Sequence, residues 1–133
     1  MSQFNLAVVI AVTLALPLSV SSGAEPTKDS LETVRKHLEQ DKAVLVDVRE
    51  KSEWAEGHIK DCVLLPLSHL KNGISKKELK EKLPQKKILY TYCVVGMRAM
   101  TAGGILDASG YDVRPLKAGY RELLKAGFEG VKE

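Results

Sequence analysis

Apolar segments of two kinds alternate along the chain, and each kind predicts a different element. Residues 43–48 are almost continuously apolar and rich in branched side chains, which indicates a strand buried on both faces. Residues 62–65, 87–92 and 112–116 predict three further strands. Segments with capping residues or helical spacing of apolar residues predict helices at 31–40, 51–57, 68–70, 75–83, 98–109 and 120–126.

Predicted strands and helices alternate four times over. This order predicts an α/β fold with a mostly parallel central sheet of about four to five strands and helices on both faces. Ligands of such sheets bind beyond the carboxyl ends of the strands. The segment 47–50 and the segment that begins at Cys93 both follow predicted strands. We therefore expect the two segments to face one pocket.

The amino-terminal segment, residues 1–24, contains no Lys, Arg, Asp or Glu. Its apolar stretch from Leu6 to Leu16 is followed by Pro17 and by small residues up to Ala24, a layout typical of a secretory signal peptide. A packed helix and an uncleaved anchor are the alternatives. The interpretation divides the chain into a signal peptide at 1–24 and one domain at 25–133. It predicts an exported protein, periplasmic or otherwise extracytoplasmic, that is not stably inserted in a membrane after cleavage.

The net charge of +3 comes largely from the segment 71–87, which contains seven lysines and no aromatic residue. Two glutamates interrupt these lysines, so the segment indicates a solvated helix surface and not a nucleic-acid interface. No cluster of His and Cys has zinc-like spacing, and we expect neither a metal nor a cofactor. Nothing in the sequence suggests an obligate interface, so a monomer is expected.

Cys93 occupies a position that favours nucleophilic chemistry. It ends a predicted strand, and a predicted helix begins near Arg98. Backbone N–H groups converge at such a junction and the helix dipole is positive there, which stabilises a thiolate over a thiol. Gly96 permits a tight turn, and Arg98 is expected to bind an anion together with the N–H groups. The alternative is a cysteine that serves only as a small buried apolar residue.

Three segments of the chain resemble the motifs of rhodanese domains. Residues 47–59 contain Asp-Val-Arg-Glu, Glu-Trp and Gly-His-Ile, which is similar to the pattern D-x-R-x-x-x-E-[W/F]-x-x-G-H-I. Residues 93–98 resemble the active-site loop C-x-x-G-x-R, and residues 116–120 resemble the segment L-x-G-G, with Ala118 at its first glycine. The motifs occur in the right order, and the resemblance covers about residues 29 to 131.

The resemblance implies sulfur transfer through a persulfide on Cys93. The donor is expected to be a small sulfur-containing anion, thiosulfate or polysulfide, and the acceptor cyanide or a thiol. Arg98 is implied to balance the charge of the donor and of the leaving group. The backbone N–H groups of the loop are implied to hold the terminal sulfur. The substrate-binding positions of this loop are Val94, Val95, Gly96 and Met97.

Three polar residues of the first motif are expected to support the site. Asp47 is expected to hold loop amides and not to transfer a proton. Arg49 either pairs with Glu50 or Glu53 on the surface or points into the pocket. His58 is expected to be a structural hydrogen-bonding histidine, because attack by a thiolate needs no general base.

Two other functions remain open from the sequence. The related cell-cycle control phosphatases have a loop one residue longer, so four residues between Cys93 and Arg98 favour sulfur over phosphate. A non-catalytic sulfur carrier or regulatory module is the second alternative. A disulfide between Cys62 and Cys93 would silence the site, although the resemblance places Cys62 at a small buried position.

Overall fold

The computed structural model describes residue 11 and residues 24–133. The predicted signal peptide therefore lies outside the described residues, except for positions 11 and 24. In the described part of the chain, no helix is both long enough and apolar enough to cross a bilayer. In chain order the elements are α1 (Leu31–Glu39), β1 (Ala43–Asp47), α2 (Lys51–Glu56), β2 (His58–Ile59), β3 (Val63–Leu64), α3 (Leu67–Lys71), α4 (Lys76–Lys82), β4 (Ile88–Tyr92), α5 (Met97–Ala108), α6 (Tyr120–Lys125) and β5 (Gly130–Val131).

The central sheet is parallel and has the strand order β3-β1-β4. β1 lies in the middle, with Asp47 opposite Leu64 on one side and Tyr92 on the other. The segment 112–116 continues the sheet beyond β4 as a single parallel bridge between Leu89 and Val113. Hydrogen bonds of 2.8 Å on either side of this bridge hold the segment along β4. The predicted α/β fold with a mostly parallel sheet is confirmed.

A second, two-stranded sheet pairs β2 with β5 in antiparallel orientation. His58 lies opposite Val131, and Ile59 lies opposite Gly130. The sequence did not predict these strands, because two residues are too short to show an alternating pattern. The pairing ties the end of the chain to the segment that follows α2.

Helices cover the sheet on both faces, and each face has its own apolar core. Val46 and Leu89 pack on one face, where α3, α4 and α5 contribute buried side chains. Leu45 and Tyr90 pack on the other face against α1 and α6. Adjacent residues of a strand therefore point into different cores, which explains why the strands are apolar throughout.

Candidate active site

The two segments that follow β1 and β4 meet at the carboxyl edge of the sheet, as their positions in the sequence predict. β1 and β4 are neighbours in register, and the N–H of Val48 donates to the carbonyl of Tyr92 at 3.1 Å just beyond them. A cavity of about 510 Å³ lies beside them. Arg49 lines this cavity from one segment, and Val94 and Val95 line it from the other.

Cys93 is fully buried beneath the loop that it begins. Its Sγ accepts a hydrogen bond of 3.1 Å from the backbone N–H of Gly96. Gly96 has a φ of +93° and is the N-cap of α5, so the loop turns in the left-handed region where glycine is favoured. The thiol thus lies at the amino terminus of a twelve-residue helix. That the other N–H groups of the loop donate hydrogen bonds to a second sulfur atom bonded to Sγ remains a prediction.

The segment before α6 supports the Cys93 loop from behind. The N–H of Tyr120 donates to the carbonyl of Cys93 at 2.8 Å. A Cβ on Gly119 would lie 1.8 Å from the carbonyl oxygen of Val94, so this position requires a residue without a side chain. Gly119 belongs to the third motif, but the sequence pattern does not explain why a glycine stands there. The close approach of two backbone segments is the reason.

Arg98 does not lie free in the loop but forms a bidentate ion pair with Glu53 of α2. Its Nη1 donates to Oε1 at 2.7 Å and its Nη2 to Oε2 at 3.0 Å. These hydrogen bonds lower the pKa of Glu53 to about 2. The pair links α2 to the start of α5 and compensates the guanidinium charge. The sequence did not predict this pair, because it indicated Glu53 only as a possible partner of Arg49.

Arg49 is buried and pairs with Asp47, not with Glu50 or Glu53. Its Nη2 donates to Asp47 Oδ2 and to the carbonyl of Gly57, both at 2.7 Å. The Asp47 carboxylate also accepts the backbone N–H of Arg49 at 3.0 Å. Asp47 belongs to β1 and Gly57 follows α2, so these hydrogen bonds of Arg49 hold β1 against the end of α2.

Tyr92 completes the network around Asp47. Its hydroxyl donates to Asp47 Oδ2 at 2.9 Å and accepts the N–H of Ile59 at 3.2 Å. Burial raises the pKa of Tyr92, so the hydroxyl keeps its proton and remains a donor. The structure therefore surrounds the buried Asp47 carboxylate with hydrogen-bond donors.

His58 lies in β2 and is buried. Its Nδ1 lies 3.0 Å from the carbonyl oxygen of Trp54, and its ring stacks on the Trp54 indole with the ring centres 3.4 Å apart. Both contacts stabilise the turn between α2 and β2. They are contacts of the kind that a structural histidine makes.

Cys62 and Cys93 are both free thiols and pack with the cores on opposite faces of the sheet. Cys62 Sγ lies 3.3 Å from the hydroxyl of Tyr92. Burial raises the pKa of the Cys62 thiol to about 12, so it remains protonated at neutral pH. Cys62 therefore lacks the thiolate that sulfur chemistry requires.

The Glu53–Arg98 pair is expected to stabilise the fold at neutral pH and to lose this effect in acid. The pKa of Glu53 is about 2 in the folded chain, whereas its ordinary value is 4.5. The stabilisation by the pair is therefore fully present above the ordinary value of 4.5, and it is lost as the pH falls through about 2. We expect Glu53→Gln to reduce the free energy of unfolding by about 1 kcal/mol near neutral pH. The difference from the unmodified chain should shrink toward about pH 2, as measured by urea unfolding.

Glu129→Gln is the matched control for that measurement. Glu129 pairs with Lys60 at 3.5 Å on an exposed surface, where an ion pair contributes little. Its substitution should change the free energy of unfolding by less than about 0.5 kcal/mol at any pH. A Glu53→Gln effect that stays constant as the pH falls would contradict the assignment of the stabilisation to the ionised pair.

Comparisons with known proteins concern the family and the fold of this chain. A family model described as "Rhodanese-like domain" matches residues 30–126. The solved structure of the human single-domain sulfurtransferase TSTD1 is 28% identical, with a TM-score of 0.65 over 77% of this chain and 97% of that one.

Two curated relatives are each 34% identical to part of the chain. The uncharacterized protein YqhL of Bacillus subtilis matches over 82 residues, which are 61% of this chain and 60% of that protein. The probable adenylyltransferase/sulfurtransferase MoeZ of Mycobacterium tuberculosis matches over 70 residues, which are 53% of this chain and 17% of that protein. The chain thus spans less than two thirds of either relative. Since the family model covers more than two thirds of the chain, the chain belongs to the rhodanese-like domain family.

Proposed function

We propose that this domain is a sulfurtransferase that carries sulfane sulfur as a persulfide on Cys93. The observation that carries the proposal is the position of Cys93 Sγ, which accepts the Gly96 N–H at the amino terminus of α5. Membership of the rhodanese-like family supports it, as does the likeness to a protein described as a single-domain sulfurtransferase.

The first half-reaction is the attack of the Cys93 thiolate on the sulfane sulfur of a donor. A bond forms between Sγ and that sulfur, and the bond from the sulfur to the rest of the donor breaks. The electron pair of the broken bond leaves with the donor remnant, which is sulfite when the donor is thiosulfate. In the second half-reaction a thiol or cyanide attacks the outer sulfur and regenerates the thiolate.

The loop supplies hydrogen bonds at the place where negative charge resides. The Gly96 N–H already donates to Sγ, and the positive end of α5 faces the same atom. The other loop amides, from Val94 to Arg98, would hold the outer sulfur of the persulfide. Four residues separate Cys93 from Arg98, a span that suits one sulfur atom better than a tetrahedral phosphate.

The polar residues around the loop would act by positioning it. Glu53 holds the Arg98 side chain, and Asp47 holds that of Arg49. We therefore assign Cys93 as the nucleophile and Arg98, which Glu53 holds at the start of α5, as a residue that positions the loop. Asp47, Arg49 and His58 are supporting residues. Val94, Val95, Gly96 and Met97 form the substrate-binding loop.

Mass spectrometry of the intact protein tests the proposal. Reduced protein treated with a sulfur donor is expected to gain about 32 mass units, one sulfur, and peptide mapping should place the gain on Cys93. Addition of cyanide should remove the gain and release thiocyanate. Persulfide that forms but passes to neither cyanide nor a thiol would indicate a sulfur carrier instead. Failure to form any persulfide, with polysulfide and thiosulfate both tried, would overturn the proposal.

A further inference from the structure

The Cys93 loop exposes an unusual amount of apolar surface. Val94, Val95 and Met97 are exposed by 46%, 70% and 71%, whereas the large apolar residues of the described chain are otherwise covered except for Leu124. Val95 lies between two cavities, since it lines both the cavity of about 510 Å³ and a second one of about 460 Å³. A molecule that occupies either cavity therefore contacts the apolar side chain of Val95.

The two arginines closest to the loop in the motifs are already neutralised. Arg98 pairs with Glu53, and Arg49 pairs with Asp47. The charged side chains that line the two cavities and have no ion pair in the described structure are two acids and two bases, Glu56, Glu122, Lys117 and Arg121. The two cavities beside the loop therefore have no excess of positive charge.

This charge balance disfavours a dianionic donor. Thiosulfate carries two negative charges, so its encounter with the thiolate would bring three negative charges together. Acidic side chains already balance the cations near this place. An organic persulfide carries at most one negative charge, and none in the protonated form R–S–SH that the thiolate attacks. An apolar R group would also cover the exposed side chains of the loop, which is favourable in water.

We propose that the preferred donor is an organic persulfide with an apolar R group, and that Val95 and Met97 determine this preference over thiosulfate. The inference rests on the proposed function and specifies its donor. In the reaction, Sγ of Cys93 forms a bond to the outer sulfur of R–S–SH. The bond between the two donor sulfurs breaks, and its electron pair leaves with R–S⁻. The outer sulfur keeps its proton, so Cys93–S–SH forms with no net oxidation or reduction.

Steady-state rates with three donors test the inference on the full chain. The donors are thiosulfate, glutathione persulfide as a persulfide on a charged carrier, and benzyl persulfide as a persulfide on an apolar carrier. With cyanide as the acceptor, we expect kcat/KM to be highest for benzyl persulfide and lowest for thiosulfate. Val95→Lys should shift the ratio of kcat/KM for thiosulfate to that for benzyl persulfide by about tenfold in favour of thiosulfate.

Two further variants separate the causes of that shift. Val95→Gln removes apolar surface without adding charge, so it should lower kcat/KM for benzyl persulfide by a larger factor than kcat/KM for thiosulfate. Ser109→Lys adds the same charge at the far end of α5, about 18 Å from the loop, and should leave the ratio unchanged. An equal effect of Ser109→Lys and Val95→Lys would overturn the inference.

The outcomes also separate the inference from the proposed function. Equal or higher kcat/KM with thiosulfate in the unmodified chain would overturn the donor preference and leave the persulfide mechanism in place. Absence of Cys93 persulfide with all three donors would overturn both.

Discussion

Cys93→Ser is expected to abolish persulfide formation and to lower the rate of sulfur transfer by about 10⁴-fold or more. Serine can accept the Gly96 hydrogen bond, but its hydroxyl is not ionised at neutral pH and is a poor nucleophile toward sulfur. The substitution changes one atom of a fully buried side chain, so the fold should remain intact. The measurement is intact-protein mass spectrometry after donor treatment, together with thiocyanate release and a thermal unfolding curve.

Cys62→Ser is the matched control because it makes the same chemical change in the second cysteine. Burial raises the pKa of the Cys62 thiol to about 12, and its sulfur contacts the Tyr92 hydroxyl and not the Cys93 loop. We expect this variant to gain one sulfur on Cys93 and to keep most of its transfer rate. A loss of transfer in Cys62→Ser with an intact fold, or retained transfer in Cys93→Ser, would show that the wrong thiol is assigned.

The fold was predictable where a segment is long enough to show its pattern. β1 and β4 are apolar on both faces, and α1 begins after Ser30, whose side chain accepts the N–H of Thr33 at 3.1 Å. The segment 112–116, predicted as a strand, runs along β4 but forms only one regular bridge with it. β2 and β5 were missed because their stability comes from pairing between distant segments and not from local sequence.

The site was predictable in its chemistry but not in its ion pairs. The Cys93 loop could be identified because a strand, a glycine and a helix start occur within a few residues. The partner of Arg98 could not, since Glu53 lies forty-five positions away and only the packing of α2 against the loop brings them together. Likewise, Arg49 could have paired with several nearby acids, and burial of Asp47 decides between them.

Gly119→Ala is expected to destabilise the domain by about 3 kcal/mol and to reduce the transfer rate by about 100-fold. The new Cβ would lie 1.8 Å from the Val94 carbonyl oxygen and 3.1 Å from that of Cys93. Both atoms belong to backbone, so the clash is relieved only if α6 moves away or the Cys93 loop shifts. Either movement strains the hydrogen bond from Tyr120 N–H to the Cys93 carbonyl. Urea unfolding and donor-dependent persulfide formation measure the two effects.

Gly110→Ala separates this steric effect from the general cost of replacing a glycine. Gly110 has a φ of +92°, and a Cβ added there would have no heavy atom within 4 Å, so alanine meets backbone strain but no clash. We expect it to cost about 1 kcal/mol of stability and to leave the persulfide rate unchanged. Gly119 has a φ of −90°, which alanine adopts freely, so its larger effect must come from contact with the loop. Equal stability losses in the two variants, with the rate preserved in both, would show that the segment before α6 does not position Cys93.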